Sequence, residues 1–405
     1  MDTPLEGLLV ADFTRVLSGP HCTRMLSDLG ATVVKIEPPG GDVTRFSAPR
    51  RNSMPTYYVQ QNTGKQSISI DFGRPEGTAI AMRLAEQADI VVENFRPGVM
   101  AKFGLDYAAV AARNPRIVYA SITGYGATGP WMHRRAYAPV VQAETGLTKS
   151  QGDHGRGGVY RTDRHSHADV YTSLDAAAGI LAALYQRERT GRGQWIDIAM
   201  AQVMLYVNEH VHDELYDGDI DPDWVRSFGN DAQPVVTVAN GDSVAIAGHP
   251  AARGNFEMYV ALIERPELAH DARFTTPADR QAHLDDLLGY IDEFAATVAD
   301  ADALEARCSQ YKLAVGAVRS VADVCTSDWA RARGVIVQVD DRGGSTVGIP
   351  NAPWKFSDAP GVGVRGMPRY RGEDNAEVLR DVLGMADDEI DELTASGVLS
   401  AHTPR

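Results

Sequence analysis

The sequence predicts an α/β fold, a mainly parallel sheet flanked by helices. Three observations carry that expectation. Residues 8–37 read as strand, helix, strand, the unit from which doubly wound sheets are built. The alternation runs on to Thr123 and resumes at residues 194–200. The chain has 405 residues, 44% of them hydrophobic and 23% charged, enough for two or three domains with sizeable cores.

The elements follow in order. Residues 8–13 (LLVADF) form a short apolar run that includes Asp12, 20–29 a helix, and 31–37 (ATVVKIE) a second strand ended by Pro38-Pro39-Gly40-Gly41. Residues 66–71 are a further strand, and 74–88 a helix with Pro75 near its first turn, where proline is tolerated. Residues 89–93 (DIVVE) and 116–123 (RIVYASIT) are strands, with a helix at 107–113 between them. Ligands of such a sheet sit at the C-terminal ends of its strands. Residues 124–129 spell G-x-G-x-x-G, but Pro130 and a polar, basic run follow in place of an opening helix. A dinucleotide fingerprint needs that helix, so no nicotinamide or flavin site is expected. Residues 148–164 read as a polar, basic loop.

Residues 168–200 are the most patterned stretch. Val170, Leu174, Ala177, Leu181 and Leu184 recur at spacings of four, three, four and three, which predicts a helix buried on that face. Arg187 and Arg189 suit its C-terminal end, Gly191 is placed for a left-handed cap, and 194–200 alternates as a strand. Asp169 stands where the helix begins, facing free backbone N–H groups. Taken alone, such an aspartate is a helix cap.

Residues 1–212 thus read as a large α/β domain and 213–224, acidic and ended by Pro222, as a linker. Residues 225–325 change texture: short strands at 234–239 and 243–247 give way to helices at 255–264, 283–299 and 301–311, a smaller α+β domain. Residues 326–405 return to strands (334–340, 345–349) and two helices (375–383, 387–396).

Composition narrows the function. Fifty-four acidic against 39 basic residues give a net charge of −15, which argues against nucleic-acid binding. Cys22, Cys308 and Cys325 lie far apart, indicating a reducing, cytoplasmic setting without a zinc site or disulfide framework. The acidic start MDTPLEG carries no signal-peptide pattern, and no run of 18 apolar residues marks a membrane span.

Seven stretches together resemble the class III CoA-transferases (CaiB/BaiF type), whose members include formyl-CoA transferase, carnitine CoA-transferase and α-methylacyl-CoA racemase. They are PLEGLLVADFTRVLSGP (4–20), LGATVVKIEPPGGDVTR (29–45), NTGKQSISIDF (62–72), ADIVVENFRPG (88–98), RIVYASITGYGATGP (116–130), the 168–200 segment with its ERTGRGQ, and PNAPWKFSDAP (350–360). The resemblance implies a Rossmann-like large domain built from both chain ends, a small inserted α+β domain and an interlocked homodimer. It implies Asp169 as nucleophile, acyl-CoA and a carboxylic acid as substrates, and no metal or cofactor. It also implies CoA contacts at Val16, Leu17, Ile70, Asn94, Phe95, Arg96, Lys102, Arg134, Arg135 and Tyr137, with Phe228, Gly229 and Asn230 as a lid.

Three departures stand out. Pro38, Leu17 and Ala138 occupy positions where formyl-CoA transferase has arginine, glutamine and an acid. Arg45 is the expected substitute for the first, and the other two favour a larger or less polar acyl group than formyl or oxalyl. Two rival readings are a 2-methylacyl-CoA racemase, which needs an acid–base pair and carries histidine where Tyr137 stands, and a non-catalytic CoA-binding protein of the same fold.

Overall fold

The computed structural model describes residues 2–215 and 233–402. The chain divides into two compact units, Met1–Glu209 with Asp328–Arg405, and His210–Ser327.

In the first unit six strands form one sheet: β1 (Leu9–Asp12), β2 (Thr32–Glu37), β3 (Gln66–Ser69), β4 (Ile90–Glu93), β5 (Val118–Thr123) and β6 (Gln194–Ala199). Their spatial order is β3-β2-β1-β4-β5-β6, and every neighbouring pair is parallel. The order reverses between β1 and β4, and the crevice at their C-terminal ends is where such sheets receive ligands. All residues of β4 and β5 are buried, so IVVE and VYASIT carry few charges, as strands covered on both faces do.

The helices of this part include α1 (Ser18–Asp28), α2 (Thr56–Asn62), α3 (Pro75–Gln87), α4 (Ala138–Glu144), α5 (His167–Thr190) and α6 (Met200–Tyr206). Successive strand residues feed opposite cores. Val10, Val33 and Val92 pack with Leu26 of α1 and Ile180 of α5; Ala11, Val34 and Val91 pack with Ile80 and Leu84 of α3.

Two expectations are corrected here. The buried face of α5 is lined mainly by small residues, Ala168, Thr172, Ala176, Ala177 and Ala183, with Ile180 and Leu184. Leu174 and Leu181, expected to be buried, are 47% and 38% exposed. Small side chains win that face because α5 packs directly against α1 and the sheet, and close packing favours little volume. Second, the expected loop at 148–164 contains a helix at Leu147–Gly155. Only Gly152 of that helix is buried, so it has no apolar stripe for sequence reading to find.

The end of α5 follows the pattern. Gly191 has φ +73° and its N–H reaches the Arg187 carbonyl at 2.7 Å. A Cβ on Gly193 would lie 1.9 Å from the Ile117 carbonyl oxygen, so no larger residue fits beside β5.

The second unit has a three-stranded antiparallel sheet of β7 (Val235–Thr237), β8 (Ser243–Ile246) and β9 (Val315–Ala317). Helices pack on it through Phe256, Tyr259, Leu287, Ile291 and Leu304. A helix at Val211–Leu215 takes in residues 213–215 of the expected linker; the remainder, to 224, lies outside the described residues.

The chain then returns to the first unit through a hairpin, β10 (Ile336–Asp340) and β11 (Thr346–Pro350), and helices α7 (Asn375–Leu383) and α8 (Asp387–Ala395). This return closes the sheet's edge. The Asp374 carboxylate accepts the Ser67 N–H at 2.7 Å, Asn375 Oδ1 accepts the Ser69 N–H at 2.9 Å, and Ile70 pairs with Leu399. Edge strands left bare are templates for mispairing. No helix among the described residues is long and apolar enough to cross a membrane.

Beneath the turn after β1 lie three buried acid–base pairs: Lys65–Asp12 at 3.0 Å, Lys35–Asp42 at 3.2 Å and Arg45–Glu37 at 2.5 Å. Burial works against the Asp12 carboxylate, but Lys65, Lys35 and the Thr14 and Thr23 hydroxyls outweigh it and bring its pKa down to about 2. Removing one member of such a pair strands its partner's charge in the core, at a cost of about 3–5 kcal/mol. Lys65→Met is therefore expected to lower the thermal transition of the first unit by several degrees in calorimetry. An unchanged transition would show that the pair contributes nothing.

Candidate active site

Asp169 lies in the first turn of α5, whose capping position is held by Ser166. Its carboxylate lies near the Ser18 hydroxyl and backbone N–H, which favour its charged form. Ser18 opens α1, so the carboxylate sits in the first turn of one helix and near the first residue of another. Both positions favour negative charge. Burial acts the other way and prevails, pushing the Asp169 carboxyl from an ordinary 3.8 up to about 6.

The turn that brings Ser18 there is held from two sides. Asn94 follows β4; its Oδ1 accepts the Arg15 N–H at 2.9 Å, and its Nδ2 donates to the Arg15 carbonyl at 2.8 Å and to Ser18 Oγ at 3.2 Å. The last bond leaves the Ser18 proton free to face Asp169. On the other side Asp42 accepts the Val16 N–H at 3.2 and 3.3 Å. Val16 has φ +69°, a costly conformation for a β-branched residue, so the turn is imposed by these bonds and not by local preference. Asp42 is itself fixed by Lys35, and Lys35 Nζ donates to the Thr14 carbonyl at 2.8 Å.

The β4 end is shaped in the same way. Glu93 accepts the Phe95 N–H at 2.8 Å, and burial pushes its carboxyl up to about 7. The Arg15 guanidinium lies 5.6 Å from the Phe95 ring centroid. Val16, Leu17, Asn94, Phe95 and Asp169 thus converge at the crevice between β1 and β4.

Other candidate sites contain residues already engaged. In the 124–129 glycine turn, Thr123 Oγ1 accepts the Gly126 N–H at 2.9 Å and the Asp197 carboxylate the Ala127 N–H at 2.9 and 3.2 Å. Two of the amides a phosphate would need are therefore bound within the protein. Ahead of α5, Asp163 gathers His165 Nδ1 at 3.1 Å and His167 Nε2 at 3.7 Å. Among the described residues this is the one grouping able to present three metal ligands. Its carboxylate also accepts from Gln151 at 3.0 Å and lies 3.6 Å from Arg156, contacts that brace the loop entering α5.

Similarity to known proteins fits this geometry. A profile of CoA-transferase family III matches residues 5–375. The chain belongs to CoA-transferase family III. It is 35% identical to a formyl-CoA:oxalate CoA-transferase of Streptomyces coelicolor, covering 98% of this chain and 99% of that one. It is 30% identical to the beta subunit of a succinyl-CoA–L-malate CoA-transferase of Chloroflexus aurantiacus, covering 98% of each. A solved CaiB/BaiF family protein from Brucella suis superposes with a TM-score of 0.79 at 32% identity, over 94% of this chain and 100% of that one.

The remaining CoA-contact candidates of this family III chain differ in exposure. Arg96, Lys102, Arg135 and Tyr137 are exposed. Arg134 pairs with Glu144 and lies 4.7 Å from the Trp131 ring centroid. The side chains of Ile70, Leu17 and Ala138 are buried, at 0%, 6% and 1% exposure. Arg45, expected to replace an arginine missing at Pro38, is fully spent on Glu37, Tyr58, Ser67 and the Arg369 carbonyl. The lid candidates Phe228, Gly229 and Asn230 lie outside the described residues.

Sequence reading missed Ser18, Asp42, Lys35 and Tyr57. Burial raises the Tyr57 hydroxyl to about 12, aided by the charges of Asp169 and Asp42. That hydroxyl stays protonated within the field of Asp169. No spacing rule links these residues to Asp169; only the fold does.

The raised Asp169 pKa carries a stability signature. A carboxyl whose folded pKa of about 6 exceeds its ordinary 3.8 costs stability when ionised, fully above pH 6 and not at all well below pH 4. Asp169→Asn is expected to be more stable than the parent at pH 8, by on the order of 2 kcal/mol. The gain should vanish toward pH 4. Equal melting curves at both pH values would contradict the shift.

Proposed function

We propose that the protein transfers CoA from an acyl-CoA to a carboxylic acid with Asp169 as the nucleophile. The observation that carries this reading is the Asp169 carboxylate itself. It is partly desolvated, near Ser18, and set at the switch point of a parallel sheet in a family III chain.

A carboxylate oxygen of Asp169 attacks the thioester carbonyl; the C–S bond breaks and CoA leaves as thiolate, giving an aspartyl mixed anhydride. The thiolate attacks the aspartyl carbonyl and releases the donor acid, leaving an aspartyl-CoA thioester. The acceptor carboxylate attacks that carbonyl and expels the thiolate. The thiolate then attacks the acceptor's acyl carbon, forming the new acyl-CoA and freeing Asp169. A carboxylate needs no base to act, and good leaving groups at each step make a metal unnecessary. What the steps require is donors toward each oxyanion and exclusion of water. Ser18 N–H and the protonated Tyr57 are the donors nearest in kind. A desolvated nucleophile is also a stronger one, and the pKa near 6 keeps it ionised at neutral pH.

The functional unit is a homodimer in this reading. Leu174 and Leu181 of α5, with Tyr185 at 68% exposure, form an apolar row at helical spacing that a second copy would cover. Size-exclusion chromatography with light scattering should give twice the chain mass, and Leu174→Asp with Leu181→Asp should shift it toward the monomer. A monomeric parent protein would remove the dimer from the proposal.

The chemistry is tested by trapping. Incubation with a panel of acyl-CoAs followed by hydroxylamine should leave a hydroxamate on Asp169 by mass spectrometry, formed with some acyl groups only and absent from Asp169→Ala. Deuterium uptake at the acyl α-carbon in heavy water without any adduct would establish the racemase instead. Neither signal, with CoA still bound, would mark a silent binding protein.

A further inference from the structure

Several charges near the ends of β2 and β3 pair off. Lys65 is matched by Asp12, Lys35 by Asp42 and Arg45 by Glu37. Arg369 lies 3.5 Å from Asp374, and Arg342 lies 2.6 Å from Glu373. Arg371, half-buried among them, has no carboxylate within ion-pair distance among the described residues. Its Nη1 donates to two neutral oxygens, Ser69 Oγ and Ser400 Oγ, each at 2.6 Å. The two hydroxyls lie 3.0 Å apart.

The place of this cation matters as much as its charge. Ser69 ends β3, and its hydroxyl also reaches the Pro38 carbonyl, just beyond β2, at 3.3 Å. A Cβ on Gly41 would come within 3.0 Å of Arg371 Cδ, while Gly40 is exposed with nothing within 4 Å of where its Cβ would stand. The guanidinium therefore stands beside an open glycine turn on the ligand-receiving edge of the sheet. Neighbouring strands lie about 5 Å apart, so this point is one or two strands to the side of the β1–β4 crevice, along the same edge. A half-buried guanidinium flanked by two hydroxyls, within the field of Glu37 but in ion-pair contact with no carboxylate among the described residues, is a site for a phosphate group.

We propose that Arg371, with Ser69 and Ser400, binds a phosphate of the nucleotide end of the CoA substrate, in the place where Pro38 offers no charge. This rests on the transferase reading above. It makes the C-terminal return of the chain part of the substrate site. The CoA nucleotide has two sources of phosphate, the 3′-monoester and the diphosphate.

The test compares CoA with 3′-dephospho-CoA by calorimetric titration of the full-length parent, Arg371→Gln and Arg371→Lys. Loss of a charge-assisted contact is expected to weaken CoA binding to Arg371→Gln about tenfold or more, with partial recovery in Arg371→Lys. A defect seen with CoA but not with 3′-dephospho-CoA assigns the 3′-phosphate; an equal defect with both assigns the diphosphate. Unchanged affinity of Arg371→Gln for both ligands overturns the proposal while leaving the transferase reading intact. Failure of the parent to bind either ligand overturns both. A second measurement needs no variant: phenylglyoxal labelling of Arg371 in the parent, read by mass spectrometry, should be suppressed by CoA. Labelling indifferent to saturating CoA also overturns the proposal.

Discussion

Three acid–base pairs buried between β1, β2 and the following turn hold the candidate active-site end of the first unit in shape. Their cost is desolvation, and each recovers it through neighbours that satisfy the remaining valences. Lys65 illustrates this: besides Asp12 it donates to the Pro20 carbonyl, Thr23 Oγ1 and Asn62 Oδ1 at 2.7–2.9 Å. The pairs do more than stabilise. Asp42 holds the N–H of a valine with positive φ, and Lys35 holds the carbonyl of Thr14. Between them they turn the chain so that α1 starts toward Asp169. A chain with apolar residues at these positions would lack the directional bonds that select that turn.

The Asp169 environment is a contest between two effects of similar size. The Ser18 hydroxyl and backbone N–H favour the charged carboxylate. Removal from water opposes them and wins, leaving a carboxylate that is ionised near neutrality yet poorly solvated. Glu93, at the end of β4, is buried more deeply and lies in the field of the Asp197 charge; Ser121 and the Phe95 N–H oppose this, and its pKa still rises to about 7. The two acids show how burial, donors and nearby charge together set the character of carboxyl groups at one end of the sheet.

Local pattern made much of this legible in the sequence. The strand–helix alternation, the left-handed Gly191 and the position of Asp169 at a helix start all follow from rules acting within a few residues. What escaped is non-local. The Asn94–Ser18 bond spans 76 positions and Lys65–Asp12 spans 53. A lysine in VVKIE reads as an outward-facing strand residue, yet Lys35 is fully buried because its partners come from another turn. The α5 stripe failed for a related reason: the pattern marks an apolar face but does not say what lies against it. Tight packing on α1 selected the alanine face and left Leu174 and Leu181 outside.

The closing of β3 by residues 374–399 has a consequence for how the chain is made. Strands β1 to β6 all leave the ribosome before residue 200, but the side chains that occupy the β3 edge come from beyond residue 370. The whole second unit is synthesised in between. During that interval the nascent sheet carries an unpaired edge, a setting in which non-native strand pairing competes with folding. A chain of this layout depends on its last few dozen residues arriving before a neighbour does, and its yield in cells will track translation speed and chaperone supply more closely than the packing of its finished core.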